Sequence, residues 1–140
     1  MRASLVLTVF FAGCGGFGPG SSDFSRELSG GYFLYRNSSH TIFVAPQIWN
    51  DETPIIPENV IECDFDTRFI IAKQQLLKRR SPNDSRDTYM EPAPGQYCYW
   101  ILSVQPVKAY GPMTLDEFDS KREELQVPAS LRLKNINSFR

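Results

Sequence analysis

Phe69-Ile70-Ile71-Ala72-Lys73-Gln74 constrains this chain more than any other stretch, together with Tyr97-Cys98-Tyr99-Trp100-Ile101-Leu102. Both are dense in β-branched and aromatic residues, and turn chemistry bounds them on either side. Four consecutive apolar residues in a short run leave no polar face, so Phe69 to Ala72 predicts a strand covered on both sides, in the middle of a sheet. The second run predicts its antiparallel neighbour. The chain has 140 residues, enough for one domain with a real core and too few for two ordinary ones.

Other strands fall into place around this pair. Tyr32-Phe33-Leu34-Tyr35-Arg36 and Thr41-Ile42-Phe43-Val44-Ala45 flank Asn37-Ser38-Ser39-His40, a hairpin turn by composition. Between Pro46 and Pro57 the chain is irregular, and Trp49 with Ile55-Ile56 is expected to fold back as a cover over the core. Val60 to Phe65 alternates, with Ile61, Cys63 and Phe65 on one face and Val60, Glu62 and Asp64 on the other. Val107 to Tyr110 returns from a turn at Gln105-Pro106 and should stop at Gly111-Pro112, while Leu131-Arg132-Leu133 alternates as a last edge strand. The expected fold is mainly β (α+β): an antiparallel meander sheet or partly open barrel of roughly five to seven strands with one C-terminal helix. That helix starts at a capping box, Thr114 as N-cap and Glu117 three residues on, with Met113 and Phe118 at the hydrophobic-staple positions. Its apolar stripe is Leu115, Phe118 and Leu125, interrupted by Arg122, and Pro128 ends it.

The first residues carry an address. Arg2 precedes an apolar run from Ala3 to Phe11, the length of a secretory leader and short of a ~20-residue membrane span. It ends in Phe11-Ala12-Gly13-Cys14, small residues before a cysteine, which resembles the lipobox of bacterial lipoproteins. In that class the thiol receives a diacylglycerol and the leader is cut before the cysteine. Each buried CH₂ then contributes about 0.8 kcal/mol to an anchor. Here Phe11 stands where leucine is usual. Gly15 to Ser22 is rich in glycine and serine, a flexible tether whose ten or so residues reach about 15–20 Å. The expected organisation is a leader over 1–13, a lipidated Cys14 and tether over 14–24, and a globular β-rich domain over 25–140. The address is thus the extracytoplasmic face of a bacterial cell envelope, with the membrane as partner through the N-terminal lipid.

Chemistry is sparse. Net charge is −1, which gives no long-range pull toward nucleic acid, and none is expected as a partner. The chain holds one histidine, His40, in the hairpin turn, and no Gly-x-Ser-x-Gly elbow, so no catalytic residues are assigned and an enzyme is not expected. Glu62, Asp64 and Asp66 share one face, but cross-strand pairing with Arg68 or Lys73 explains them better than calcium does. Neither metal nor cofactor is implied. Cys63 and Cys98 are an even pair in an exported domain; they either form a disulfide, which needs Cα atoms within about 7 Å, or sit as small buried hydrophobes. The stretch 78–95 lacks periodicity and contains Pro82, Pro92 and Pro94, so it reads as one long loop of the kind that carries function. Its Lys78, Arg79, Arg80 and Arg86, with Tyr89, suit an anionic envelope polymer or an acidic envelope protein.

Several pieces in order are similar to an uncharacterised family of small bacterial lipoproteins, domain of unknown function 3997. They are Phe69 to Gln74, Lys78-Arg79-Arg80-Ser81-Pro82-Asn83, Tyr99 to Leu102, Tyr110-Gly111-Pro112 and the helix with Glu117, Phe118 and Arg122. The resemblance spans about Tyr32 to Leu133 and implies size, lipoprotein character and bacterial origin, with no activity and no functional residues. Together the sequence points to a membrane-anchored lipoprotein with a non-catalytic interaction or ligand-binding domain. An inhibitor of an extracellular hydrolase and an enzyme using Asp64 and Asp66 are the alternatives.

Overall fold

The computed structural model describes residues 23–139. Along the chain run β1 (Phe24–Glu27), β2 (Tyr32–Arg36), β3 (Ile42–Pro46), β4 (Val60–Phe65), β5 (Phe69–Arg79), β6 (Met90–Val104), β7 (Val107–Met113), the helix α1 (Leu115–Leu125) and β8 (Lys134–Asn135). A 3₁₀ turn at Ile136–Phe139 follows. Strands β1-β2-β3 form one antiparallel sheet, and β7-β6-β5-β4-β8 form a second. Mainly β structure with one C-terminal helix is therefore correct. The meander breaks into two sheets at the proline-bearing β3–β4 connection, and neither sheet closes into a barrel. Cys14 and the rest of the leader and tether to Ser22 lie outside the described residues.

Phe69 to Ala72 sits where the sequence put it. All four residues are buried, because the five-stranded sheet is covered on both faces. Ile70 and Ala72 pack with Cys63, Leu102, Leu34 and Val44 under the three-stranded sheet. Phe69 and Ile71 pack with Ile101, Met113 and Phe118 under α1. Three layers result, and each fully buried isoleucine contributes about 1.5–3 kcal/mol.

The helix begins as expected. The Thr114 hydroxyl accepts from the Glu117 N–H at 3.2 Å, and Met113 and Phe118 are buried beside it. Leu115 departs from the expected stripe and is exposed. Arg122, which interrupts that stripe, donates to the carbonyls of Pro128 (3.0 Å) and Leu131 (2.7 Å) and so pins the segment after the helix. Gln126 closes α1 in the left-handed conformation.

Other expectations need correction. A bulge between Val60 and Glu62 turns Val60 onto the same core face as Cys63. Strand β7 continues through Gly111-Pro112 to Met113. The last strand is Lys134–Asn135, not Leu131 to Leu133. The long loop over 78–95 is shorter than expected: β5 and β6 extend into both its ends as a hairpin arm, leaving 80–89 as its tip. Pro92 and Pro94 are tolerated because β7 pairs with β6 only from Tyr99 onward, so the arm has a free edge where a missing N–H costs no ladder bond.

Candidate functional site

The β2–β3 turn is held by one side chain. Ser38 Oγ accepts from the Thr41 N–H (3.0 Å) and the His40 N–H (3.4 Å) and donates to Thr41 Oγ1 (2.9 Å), which fixes His40 and Thr41 beside each other. Alternation along the two strands buries Leu34, Ile42 and Val44 and turns Phe33, Tyr35 and Phe43 outward. These outward rings form a contiguous stripe, with centroids 5.9 Å apart from Phe33 to Tyr35 and 5.3 Å from Tyr35 to Phe43. Trp49 extends it, its ring edge-on to Phe43 at 6.0 Å.

Trp49 is not the core cover that was expected. It is 47% exposed and its neighbour Ile48 is 92% exposed, whereas Ile56 alone dives into the core and bridges Val44 by two backbone bonds. Asn50 shapes the loop between them, its Oδ1 accepting from the Glu52 N–H at 2.9 Å. Further along, the carbonyl of Glu58 accepts from Nε2 of Gln74, a residue of the central strand. The Gln74 Oε1 accepts from the Trp100 indole (2.7 Å) and the Cys98 thiol (2.9 Å). A buried amide thus ties the surface segment at Glu58 to the middle of the large sheet.

Two adjoining recesses lie above this hub. The first, about 380 Å³, is lined by Thr41, Phe43, Trp49, Ile55, Pro57 and Glu58. The second, about 300 Å³, runs from Thr41 and Glu58 past His40 and Leu77 to Tyr89 and Met90 at the foot of the arm. Because they share Thr41 and Glu58, they form one trough with Trp49 at one end, Tyr89 at the other and Glu58 between. Tyr89 is half exposed, and His40 meets it edge-on at 6.5 Å. A larger hollow of about 540 Å³ lies between Tyr110 and α1, and three of its charged groups are already engaged. There Glu117 belongs to the capping box, and Lys121 pairs with Glu124 at 2.7 Å and rests over Tyr110.

The expected basic loop engages its cations with its own acidic groups and carbonyls, at the surface. Arg79 donates to the carbonyls of Asp84 (2.9 Å) and Asp87 (3.0 Å). Arg80 pairs with Asp87 at 2.9 Å and lies over the Tyr89 ring, Lys78 faces Glu91 at 3.7 Å, and Arg86 faces Asp84 at 3.4 Å. The hydrogen bond from Arg80 holds the Asp87 carboxyl down at about 2, and that carboxylate in turn raises the Arg80 guanidinium. Five residues named from the sequence are therefore brought together, but as a hairpin tip in which three of the four cations are ion-paired and Arg79 is held on carbonyls.

The remaining candidates are held by backbone and ion-pair contacts. Asp64 accepts from the backbone N–H of Arg132 and of Phe65, each at 2.9 Å, and Lys134 stands 3.6 Å away. Asp66 caps the β4–β5 turn by accepting from the Arg68 and Phe69 N–H groups. Glu62 pairs with Lys73 at 3.5 Å, the cross-strand partnership anticipated above. Cys63 and Cys98 are free and buried, and the disulfide is not formed. They sit on β4 and β6 with β5 between and two residues out of register, hence more than about 10 Å apart, beyond the span of about 7 Å that a bridge allows. Burial, and secondarily the Asp64 charge, pushes the Cys63 thiol up to about 12.

Sequence reasoning missed the outward aromatic stripe, Glu58 and Gln74. The signal for the stripe was present, since both faces of the β2–β3 hairpin are apolar where a sheet edge-layer needs only one. The chain belongs to the family described as Protein of unknown function (DUF3997), whose model matches residues 29–137. No curated protein and no solved structure matches it.

Proposed function

We propose that this family member is a lipid-anchored bacterial envelope protein whose domain is a non-catalytic interaction module working through the trough between Trp49 and Tyr89. The observation that supports it most is the exposure of Trp49, Tyr89 and Met90 around a concave apolar surface, since exposed large apolar groups in one patch mark binding surfaces. The anchor rests on Phe11-Ala12-Gly13-Cys14. Phe24 pairs with Arg36 and Arg36 with Ile42, so the described chain begins at the same end of the small sheet as Thr41 and the trough. A tether reaching about 15–20 Å would hold that end near the bilayer, within range of other envelope components. The closed charge network of the arm tip favours a protein partner over the anionic polymer suggested by the sequence.

Inhibition of an extracellular hydrolase is the second reading, supported by the arm. Its tip projects from the sheet and is pre-organised by the Arg79 and Arg80 contacts, which lowers the entropic cost of docking.

Two measurements test the proposal. A Cys14→Ser chain should lose diacylglycerol by mass spectrometry and leave the membrane fraction. A photo-crosslinking residue at position 49 or 89 should give a discrete adduct in native cells that the same probe at Ser120 does not. Identical adducts from all three positions would refute a role for the trough.

A further inference from the structure

We infer that the trough takes an extended protein segment in which a lysine or arginine, seated on Glu58, is flanked by apolar side chains. This rests on the trough being the working surface and goes on to name the chemistry of its partner. The lining supplies the apolar part. Trp49 and Phe43 form one end, Leu77, Tyr89 and Met90 the other, and tryptophan, tyrosine and methionine are the residues that dominate protein-binding patches.

The charge comes from Glu58. Glu58 is exposed and lines both recesses, and among the described residues its carboxylate takes part in no ion pair. No lysine or arginine lines either recess. Arg80, which lies over the Tyr89 ring, is held on Asp87. Asp51 and Glu52, exposed on the loop beside Trp49, add to the same sign. The trough therefore carries negative charge at Glu58 as well as apolar surface, and a cation crossing it gains the carboxylate and the Trp49 end, where no cation of the described chain stacks. The same charges act against an acidic peptide and against an anionic lipid surface.

The test uses the full chain held in detergent micelles and a displayed library of random dodecapeptides. Enriched peptides should carry Lys or Arg with aliphatic or aromatic residues on both sides. Glu58→Lys should weaken them tenfold or more, and selection on that variant should switch the basic position to Asp or Glu. Trp49→Ala should cost a similar factor, and since both side chains are exposed, each variant should keep the parental melting curve. Enrichment of uncharged or acidic peptides that still need Trp49 would overturn the basic-partner inference and leave the trough standing. Peptides indifferent to Trp49→Ala and Tyr89→Ala would remove the trough as well. No enrichment at all would overturn the inference too.

Discussion

Replacing Gln74 by leucine probes the link between the core and the surface trough. The side chain is 6% exposed and makes three hydrogen bonds: one to the Glu58 carbonyl, one from the Trp100 indole and one from the Cys98 thiol. Leucine fills the volume but leaves an indole N–H and a carbonyl without partners. Each unmet group costs about 1–3 kcal/mol if water does not reach it, whereas the thiol, a weak donor, adds little. Extra apolar burial returns about 1 kcal/mol. The net loss should be about 2–3 kcal/mol, a sizeable part of a total of roughly 5–15 kcal/mol. With a urea slope of about 1–3 kcal/mol per molar, the midpoint should fall by about 1–2 M.

A double-mutant cycle separates this from a general packing defect. Trp100→Phe removes the indole donor, so Gln74→Leu should cost about 1 kcal/mol less in that background. The Gln75 amide, which donates to the Asn59 carbonyl at 2.9 Å, should also exchange faster once Glu58 is released. A midpoint shift below about 0.3 M at unchanged slope, with additive effects in the cycle, would refute the hub.

Three further outcomes follow from the geometry. Asp87, lowered from 3.8 to about 2 chiefly by its hydrogen bond from Arg80, stabilises the arm tip above the ordinary carboxylate range and loses that contribution as pH falls through about 2; a carboxyl titration by NMR with a midpoint near 3.8 would contradict the pairing. In a Cys14→Ser chain, Cys63 and Cys98 should resist a thiol reagent while native, because burial raises both, and should both titrate on unfolding without reductant; a titre of zero would restore the disulfide. Gly111→Ala should cost about 2 kcal/mol or more in a urea melt, since a Cβ there would stand 2.5 Å from the Trp100 ring at a φ of 153°. An unchanged midpoint would mean that the ring has room to move.

What the sequence disclosed depended on how many partners a residue needs to define its role. Phe69 to Ala72 was legible because a run with no polar face can only be buried on both sides. The Thr114–Glu117 box was legible because all its atoms lie within one helical turn. Arg79 was misread because a cation in a proline-bearing loop looks available until Asp84 and Asp87 fold back onto it. Phe33, Tyr35 and Phe43 are chemically the same as core residues, so only the placement of a second sheet against Leu34 and Val44 decides that they face outward. Gln74 is the extreme case. A lone amide in an apolar strand reads as a solvent-facing position, yet its Oε1 meets two donors from the neighbouring strand while its Nε2 reaches a carbonyl sixteen residues upstream. The bulge at Val60–Glu62 brings the Glu58 end of β4 over that amide, and no local pattern encodes a bulge. The trough was therefore hidden for the same reason it is held in place: its floor belongs to the central strand, and its walls come from segments that meet only once both sheets have formed.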